Sequence, residues 1–97
     1  MVELVFMFTV PREKQEEFLN FVKSGTKPYW ESHGCLGYNV WQARDKDSFM
    51  KRMEFQDMAT FEKVLPSGEQ NPEGKALIQK FHSFVENVTT RVYTRMT

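Results

Sequence analysis

The first ten residues place apolar side chains on both faces of one predicted strand. Alternate positions fall on the same face of a strand, and here one face carries Val2, Leu4, Phe6, Phe8 and Val10. The opposite face still holds Val5 and Met7. A strand with one face in water would alternate between apolar and polar residues. We therefore predict that Val2–Val10 is buried on both sides, in the middle of a sheet.

A helix in two pieces is predicted to follow this strand. Pro11 suits the start of a helix, and apolar residues recur at helical spacing from Phe18 to Val22. Pro28 cannot donate a hydrogen bond, so we predict a break or kink at residues 24–28. Thr26 is expected to cap a second short piece, Lys27–Ser32, which ends at His33 and Gly34.

Two further strands are predicted to form a hairpin. Leu36–Ala43 and Ser48–Phe55 alternate in polarity and are separated by the polar turn at residues 44–47; so short a connection is typical of a β-hairpin. In the first of these strands, Leu36, Tyr38 and Val40 are expected to share one side.

Two helices and a last strand complete the predicted order. Asp57 suits the N-cap of a helix that runs to Leu65 and stops at Pro66, Ser67 and Gly68. Asn71 caps the next helix, which Pro72 opens. The Val/Thr/Tyr-rich segment Asn87–Met96 is predicted to be the last strand.

This order, β-α-β-β-α-β, predicts an α+β, ferredoxin-like fold in a single domain over residues 1–97. Four antiparallel strands would carry the helices on one face. The other face would expose several apolar residues: Val5, Met7, Trp41, Met50 and Tyr93. Because such a patch usually marks a partner surface, we predict a homodimer in which two sheets pack together as a barrel.

Charge and cysteine content narrow the function classes. Thirteen basic and 13 acidic residues balance, with no basic stripe of the kind that nucleic-acid binding needs. No segment is long and apolar enough for a membrane span, and no signal peptide opens the chain. Cys35 is the one cysteine, so we expect a buried, unreactive thiol in a reduced, cytoplasmic, soluble protein.

Three segments carry a resemblance to a known family. They are the opening strand followed by Pro11-Arg12-Glu13-Lys14, the segment His33-Gly34-Cys35-Leu36-Gly37-Tyr38-Asn39-Val40, and Met53-Glu54-Phe55-Gln56-Asp57 with Phe61. Together they resemble the antibiotic biosynthesis monooxygenase-like family of the dimeric α/β-barrel superfamily. The likeness in element order covers nearly the whole chain.

The resemblance implies a reaction and leaves two alternatives. Active members oxidise small aromatic or quinol-type molecules with oxygen and without metal or flavin, so no cofactor is expected. The first alternative is a non-catalytic dimer that binds a small hydrophobic ligand or regulates a partner. The second is a haem-binding or haem-degrading relative. This chain departs from the haem-degrading pattern, because it carries Phe55 where a Trp is usual and Met7 or another non-Asn residue on the first strand.

Candidate catalytic residues are His82, Trp30 and Tyr29. His82 borders the apolar stripe of the last helix, where it can transfer a proton in a cavity between helices and sheet or simply be a solvated helix-edge residue. Trp30 and Tyr29 follow the predicted break and either line a cavity mouth or pack the short helix onto the sheet.

Candidate substrate-binding residues are Phe55, Phe61, Asn39, Trp41 and Arg52. Phe55 and Phe61 are expected near the cavity. Asn39 and Trp41 share a strand face, as do Arg52 and Glu54. Arg52 either holds an anionic substrate or forms a structural ion pair with Glu3 or Glu54. His33, Cys35 and His82 have no recognised metal-ligand spacing, so no metal site is predicted.

Overall fold

The four predicted strands form one antiparallel sheet in the order β2-β3-β1-β4. In the computed structural model, which describes residues 1–97, the strands are β1 (Val2–Thr9), β2 (Gly37–Gln42), β3 (Ser48–Phe55) and β4 (Glu86–Thr94). β1 pairs with both β3 and β4, which confirms its predicted central position. Leu36 precedes β2 and is exposed, so its predicted placement with Tyr38 was wrong.

Four α-helices complete the chain: α1 (Gln15–Phe21), α2 (Lys27–Ser32), α3 (Met58–Gln70) and α4 (Pro72–Phe84). A single 3₁₀ turn, Arg12–Lys14, leads into α1. The order confirms the predicted ferredoxin-like β-α-β-β-α-β fold. None of these helices has the length and apolar character needed to cross a membrane.

The core is a cluster of phenylalanines between the helices and one face of the sheet. Phe18 of α1 is fully buried, and its ring centroid lies 5.7–5.8 Å from those of Phe8, Phe49, Phe81 and Phe84. Most of these pairs are edge-to-face, the arrangement that aromatic quadrupoles favour. The alternation in β1 and β3 therefore directs the helices to one face.

The helical stretch between β1 and β2 continues through Pro28 without a full break, but the regular α-helix is interrupted just before Pro28, and the second piece has the predicted bounds Lys27–Ser32. Val22–Thr26 forms a π-helical turn in which the Lys27 N–H bonds to the Val22 carbonyl. Pro28 then lies in the first turn of α2, where a missing N–H is tolerated. Thr26 has helical backbone angles and no capping bond, so its predicted role as a cap was wrong.

Helix α3 runs five residues beyond its predicted end at Leu65 and contains Pro66. Contacts with α2 hold this extension: the Tyr29 hydroxyl donates to the Gly68 carbonyl at 2.9 Å. A Cβ atom on Gly68 would overlap the Trp30 ring. Tertiary packing thus outweighs the local cost of the proline. The predicted N-caps of α3 and α4, Asp57 and Asn71, are both confirmed.

The sheet face opposite the helices, called the open face below, is apolar and uncovered. Met7 is 57% exposed, Trp41 54% and Tyr93 49%. On the same face, Arg52 forms an ion pair with Glu3 of the neighbouring strand. The predicted structural pairing of Arg52 is therefore present within one chain.

Gly74 is expected to tolerate no side chain. A Cβ atom there would overlap the Gly68 carbonyl oxygen and come within 2.6 Å of the Tyr29 hydroxyl. Gly74→Ala should therefore lower the free energy of unfolding by about 2 kcal/mol or more through overpacking, measured by urea denaturation. Ser67→Ala on the exposed side of α3 is the control. Equal stability of the two variants would contradict close packing of α3 on α4.

Candidate active site

A cavity of about 250 Å³ lies between the sheet and the helices. The sheet lines it with Leu4, Phe6, Tyr38, Lys51, Met53 and Thr90. The helices line it with Thr26, Trp30, Leu65, Glu69, Ile78, Phe81 and His82. We call this space the helix-side cavity. Its walls are mainly apolar with a few polar groups, which is the usual character of a small-molecule site.

Lys51 is the most unusual residue of the cavity. It lies on β3 and points toward the helices, and it is only 6% exposed. Its Nζ lies 3.6 Å from the centroid of Phe6 and 4.6 Å from that of Phe81. Lys51 forms neither a side-chain hydrogen bond nor a salt bridge within the chain. Lysine is almost never buried without a partner, so its position calls for a functional explanation.

Burial lowers the pKa of Lys51 from 10.5 to about 7, because an ammonium loses hydration in an apolar site. Near neutral pH the group can therefore exist as either amine or ammonium. As an amine it can accept a proton, and as an ammonium it can pair with an anion. Surface lysines lack this dual capacity at neutral pH.

Two buried hydroxyl groups also line the cavity. Tyr38 is nearly inaccessible to solvent, and burial raises the pKa of its phenol, so this group stays protonated at neutral pH. Thr26 is 2% exposed, and its Oγ1 makes no well-formed hydrogen bond, although its interaction with the Tyr38 hydroxyl offsets part of the rise in that phenol's pKa. A buried unpaired hydroxyl costs stability, unless a ligand supplies the missing partner.

A small charged clamp holds Tyr38 in place. Lys27 Nζ donates to the Tyr38 carbonyl at 2.6 Å and pairs with Glu31 at 3.0 Å. The Tyr38 N–H in turn donates to Glu31 Oε2 at 3.1 Å. The clamp fixes α2, and hence Trp30, against β2.

Two predicted catalytic residues line the helix-side cavity. Trp30 is buried and forms part of the wall, whereas His82 is exposed at the cavity edge. The His82 imidazole makes no side-chain hydrogen bond within the chain.

The third predicted catalytic residue, Tyr29, does not line the cavity. Its hydroxyl is bonded to Gly68 on α3, and its ring stacks on His33 with centroids 4.2 Å apart. His33 Nδ1 lies 2.7 Å from the Tyr29 carbonyl. These contacts join α2 to α3 and cap the end of α2.

The predicted substrate-binding residues also lie outside the cavity lining. Phe55 is fully buried in the core against Phe61, at 5.3 Å between ring centroids. Asn39, Trp41 and Arg52 lie on the open face, on the other side of the sheet. No three His, Cys, Asp or Glu side chains are close enough to hold a metal ion.

Sequence reasoning missed Lys51, although a signal was present. On β3, Lys51 is spaced two residues from Phe49 and Met53 and four from Phe55, so it lies on the same strand face as these three residues, which all face the core. A charged residue in phase with buried residues indicates either a defect or a site. The buried thiol of Cys35, in contrast, agrees with the prediction: burial raises its pKa, and its Sγ donates to the Gly37 carbonyl at 3.0 Å.

Lys51→Met should stabilise the fold in a pH-dependent manner. Between about pH 7 and pH 10 the unfolded lysine binds a proton that the folded one does not, so wild-type stability falls as the pH decreases through this range. The variant has no such loss. Its advantage should be a few kcal/mol near pH 7, at about 1.4 kcal/mol per pKa unit, and should shrink toward pH 10.

Urea denaturation at several pH values measures this difference. Lys75→Met, at an exposed site on α4, is the matched control and should track the wild type at every pH. An advantage of Lys51→Met that does not change with pH would show that Lys51 titrates normally in the folded chain.

Solved structures share the whole fold of this chain. A mutant of SnoaB, a cofactor-independent oxygenase from Streptomyces nogalater, has a TM-score of 0.81 at 17% identity, over 99% of this chain and 93% of that one. An uncharacterized NIPSNAP domain protein from Burkholderia xenovorans scores 0.78 at 11% identity, over 99% and 95%. A conserved protein from Methanosarcina mazei scores 0.73 at 19% identity, over 98% and 92%.

At these identities the likeness concerns the fold. No curated protein sequence matches the chain. The family model described as antibiotic biosynthesis monooxygenase, however, matches residues 1–71, which is most of the chain and includes β1, β2, β3 and all of α3. The resemblance inferred from the sequence is confirmed: the chain belongs to the antibiotic biosynthesis monooxygenase family.

Proposed function

We propose that this chain is a cofactor-independent monooxygenase that acts on a small aromatic or quinol-type molecule in the helix-side cavity. The observation that carries the proposal is the buried Lys51 in an aromatic-walled cavity of about 250 Å³. Family membership and the fold shared with the oxygenase SnoaB support the reaction class. The volume lies below the usual range for drug-sized ligands, which favours a small substrate.

The reaction needs no electron source other than its substrate. In a monooxygenation of this kind, one oxygen atom enters the substrate and the other becomes water, with two electrons and two protons drawn from the substrate. An electron-rich ring that has lost a proton can pass an electron to dioxygen directly. The protein then has to orient the ring, exclude water and move protons.

The residues of the cavity divide these tasks. Phe6, Trp30 and Phe81 form the walls that orient a flat ring. Tyr38 and Thr26 offer hydroxyl groups that hydrogen-bond substrate oxygens. His82, exposed at the cavity edge, carries protons taken from the substrate toward the oxygen atom that becomes water.

His82→Gln should lower kcat by about 100-fold on the best substrate, at the lower end of what proton transfer by a positioned side chain contributes. An oxygen electrode with a panel of hydroquinones and polycyclic phenols measures the rate. His33→Gln, which changes a histidine outside the cavity, should retain activity. No oxygen uptake by the wild type above the blank, across the whole panel, would contradict the proposal.

One observation favours a second function. His82 has no hydrogen-bond partner to orient its ring, whereas catalytic bases are usually oriented by a third group. A non-catalytic protein that binds a small aromatic ligand is therefore the second candidate. A ligand that co-purifies and is recovered chemically unchanged, without oxygen uptake, would support it. A Soret band on addition of haem would instead support the haem-binding alternative.

We also propose that the chain works as a homodimer, formed through the open face. Met7, Trp41 and Tyr93 make this face apolar and exposed in a single chain, and apolar sheet faces of this kind are usually covered by a partner. A second copy related by a two-fold axis offers the same apolar surface. The family resemblance to dimeric α/β-barrel proteins supports this arrangement.

Met7→Lys should convert the dimer to a monomer, because it places a charge in the centre of the apolar contact. Sedimentation equilibrium at micromolar concentration measures the mass. Met58→Lys is the matched control: it makes the same change at an exposed position on α3 and should leave the dimer intact. A wild-type protein that stays monomeric at high concentration would contradict the proposed interface.

A further inference from the structure

We propose that the helix-side cavity binds its aromatic ligand as an oxyanion, a phenolate whose negative charge is paired with the Lys51 ammonium. This inference rests on the proposed function for the location and class of the ligand and adds the residue, Lys51, that ionises the ligand's hydroxyl group and pairs with it. It does not depend on turnover.

The first support is that no group of the chain pairs directly with Lys51. Glu69 of α3 lines the cavity and its charge raises the pKa of Lys51 a little against the larger effect of burial, but Glu69 is exposed and forms no salt bridge with Lys51. His82 of α4 carries no negative charge. Tyr38 and Cys35, which approach from β2 and the segment before it, are kept protonated because burial raises the pKa of each. The cavity thus offers a buried cation that no carboxylate of the chain contacts directly.

The aromatic rings stabilise the Lys51 ammonium only in part. Phe6 and Phe81 present ring faces to Nζ, and cation–π attraction offsets some of the lost hydration. A full negative charge at hydrogen-bond distance would be a much stronger partner in such a site. A phenolate supplies both features at once: an anionic oxygen for Nζ and a flat ring for the aromatic walls.

The second support is the unpaired hydroxyl of Thr26. Its Oγ1 is buried in the same cavity and makes no well-formed hydrogen bond; its nearest polar neighbour is the Tyr38 hydroxyl, with which it interacts only weakly. The π-helical turn Val22–Thr26 brings the residue to this position, and such turns occur frequently at functional sites. An oxygen-bearing ligand satisfies this hydroxyl, which a purely hydrocarbon ligand leaves unpaired.

This arrangement determines where the phenol proton goes. A neutral phenol that enters the cavity transfers its O–H proton to the neutral Lys51 amine, which yields phenolate and ammonium. No proton is gained or lost overall. The same complex forms from phenolate and ammonium. Affinity should therefore be highest between the pKa of the phenol and that of Lys51 in the free protein, and should fall on both sides.

Binding of 4-nitrophenol tests the inference separately from oxygenation, because the probe changes colour on ionisation and needs no turnover. At a pH about one unit below the probe's own pKa, where the free phenol is mainly neutral, binding to wild-type protein should produce the yellow phenolate band. Lys51→Met should weaken binding by roughly 10- to 100-fold, and any probe still bound should be neutral. The matched control Lys75→Met should behave as the wild type.

Thr26→Val is a second variant that leaves Lys51 in place. It should weaken binding by about tenfold or less while the bound probe remains a phenolate. Circular dichroism of each variant confirms that it is folded. The inference is overturned if the wild type binds the probe in its neutral form, if it does not bind the probe at millimolar concentration, or if Lys51→Met binds the phenolate equally well.

The two proposals fail in different ways. Phenolate binding that depends on Lys51, without oxygen uptake on any quinol, supports the inference and contradicts the proposed monooxygenase function. Oxygen uptake that Lys51→Met leaves unchanged supports the oxygenase and removes the inference.

Discussion

Packing of the helices onto one face of the two central strands organises this protein. β1 and β3 alternate so that their phenylalanines meet Phe18 of α1 and Phe81 of α4. Because the side-chain period of a strand is two, a shift of either strand by one residue would turn this whole set to the opposite face. The same alternation determines which residues form the cavity and which form the open face.

Lys51 is the point at which this apolar packing is interrupted. Replacing an unpaired buried charge with an apolar side chain of similar volume commonly stabilises a protein, so the lysine lowers the stability of its own fold. Natural proteins accept such losses mainly where an unusual group is needed for activity. The surroundings of Lys51 support a functional role: two aromatic rings face the amine, and the Thr26 hydroxyl, which makes no well-formed hydrogen bond, lines the same cavity. The cavity is thus mainly apolar, with polar atoms at Lys51, Tyr38 and Thr26.

The fold could be predicted from the sequence to a large extent, but the site could not. Alternation in Val2–Val10 and in β3, together with the caps at Asp57 and Asn71, was sufficient for the element order and the central place of β1. These signals are local. The course of α3 through Pro66 depends on contacts between helices distant in sequence, such as Tyr29 with Gly68. Local rules for proline predicted the second helical piece Lys27–Ser32 correctly but ended α3 too early.

Placement of the candidate site residues required three-dimensional information. His82 and Trp30 were found from their helix positions and line the cavity. Phe55 and Phe61 have the same apolar character as the wall residues, and only the packing of α3 on β3 shows that they face each other in the core. Trp41 was correctly assigned to the face opposite the helices, and that face also carries Asn39 and Arg52, so these three candidates lie on the other side of the sheet from the cavity. Lys51 was not predicted as a site residue, because a lysine within a strand is ordinarily expected to point to solvent and only the packing shows that it faces the core.

The π-helical turn makes the length of the first helical stretch a sensitive property of this chain. Each residue advances a regular helix by about 100°, and the turn contains one residue more than α-helical spacing would accommodate. Loss of a single codon within positions 22–25 would restore regular spacing, place Pro28 inside an uninterrupted helix and rotate Trp30 by about a quarter of a turn away from the cavity. Substitutions at these four positions leave the direction of every later side chain unchanged, whereas a one-residue deletion there would change the wall of the cavity without altering any residue that lines it.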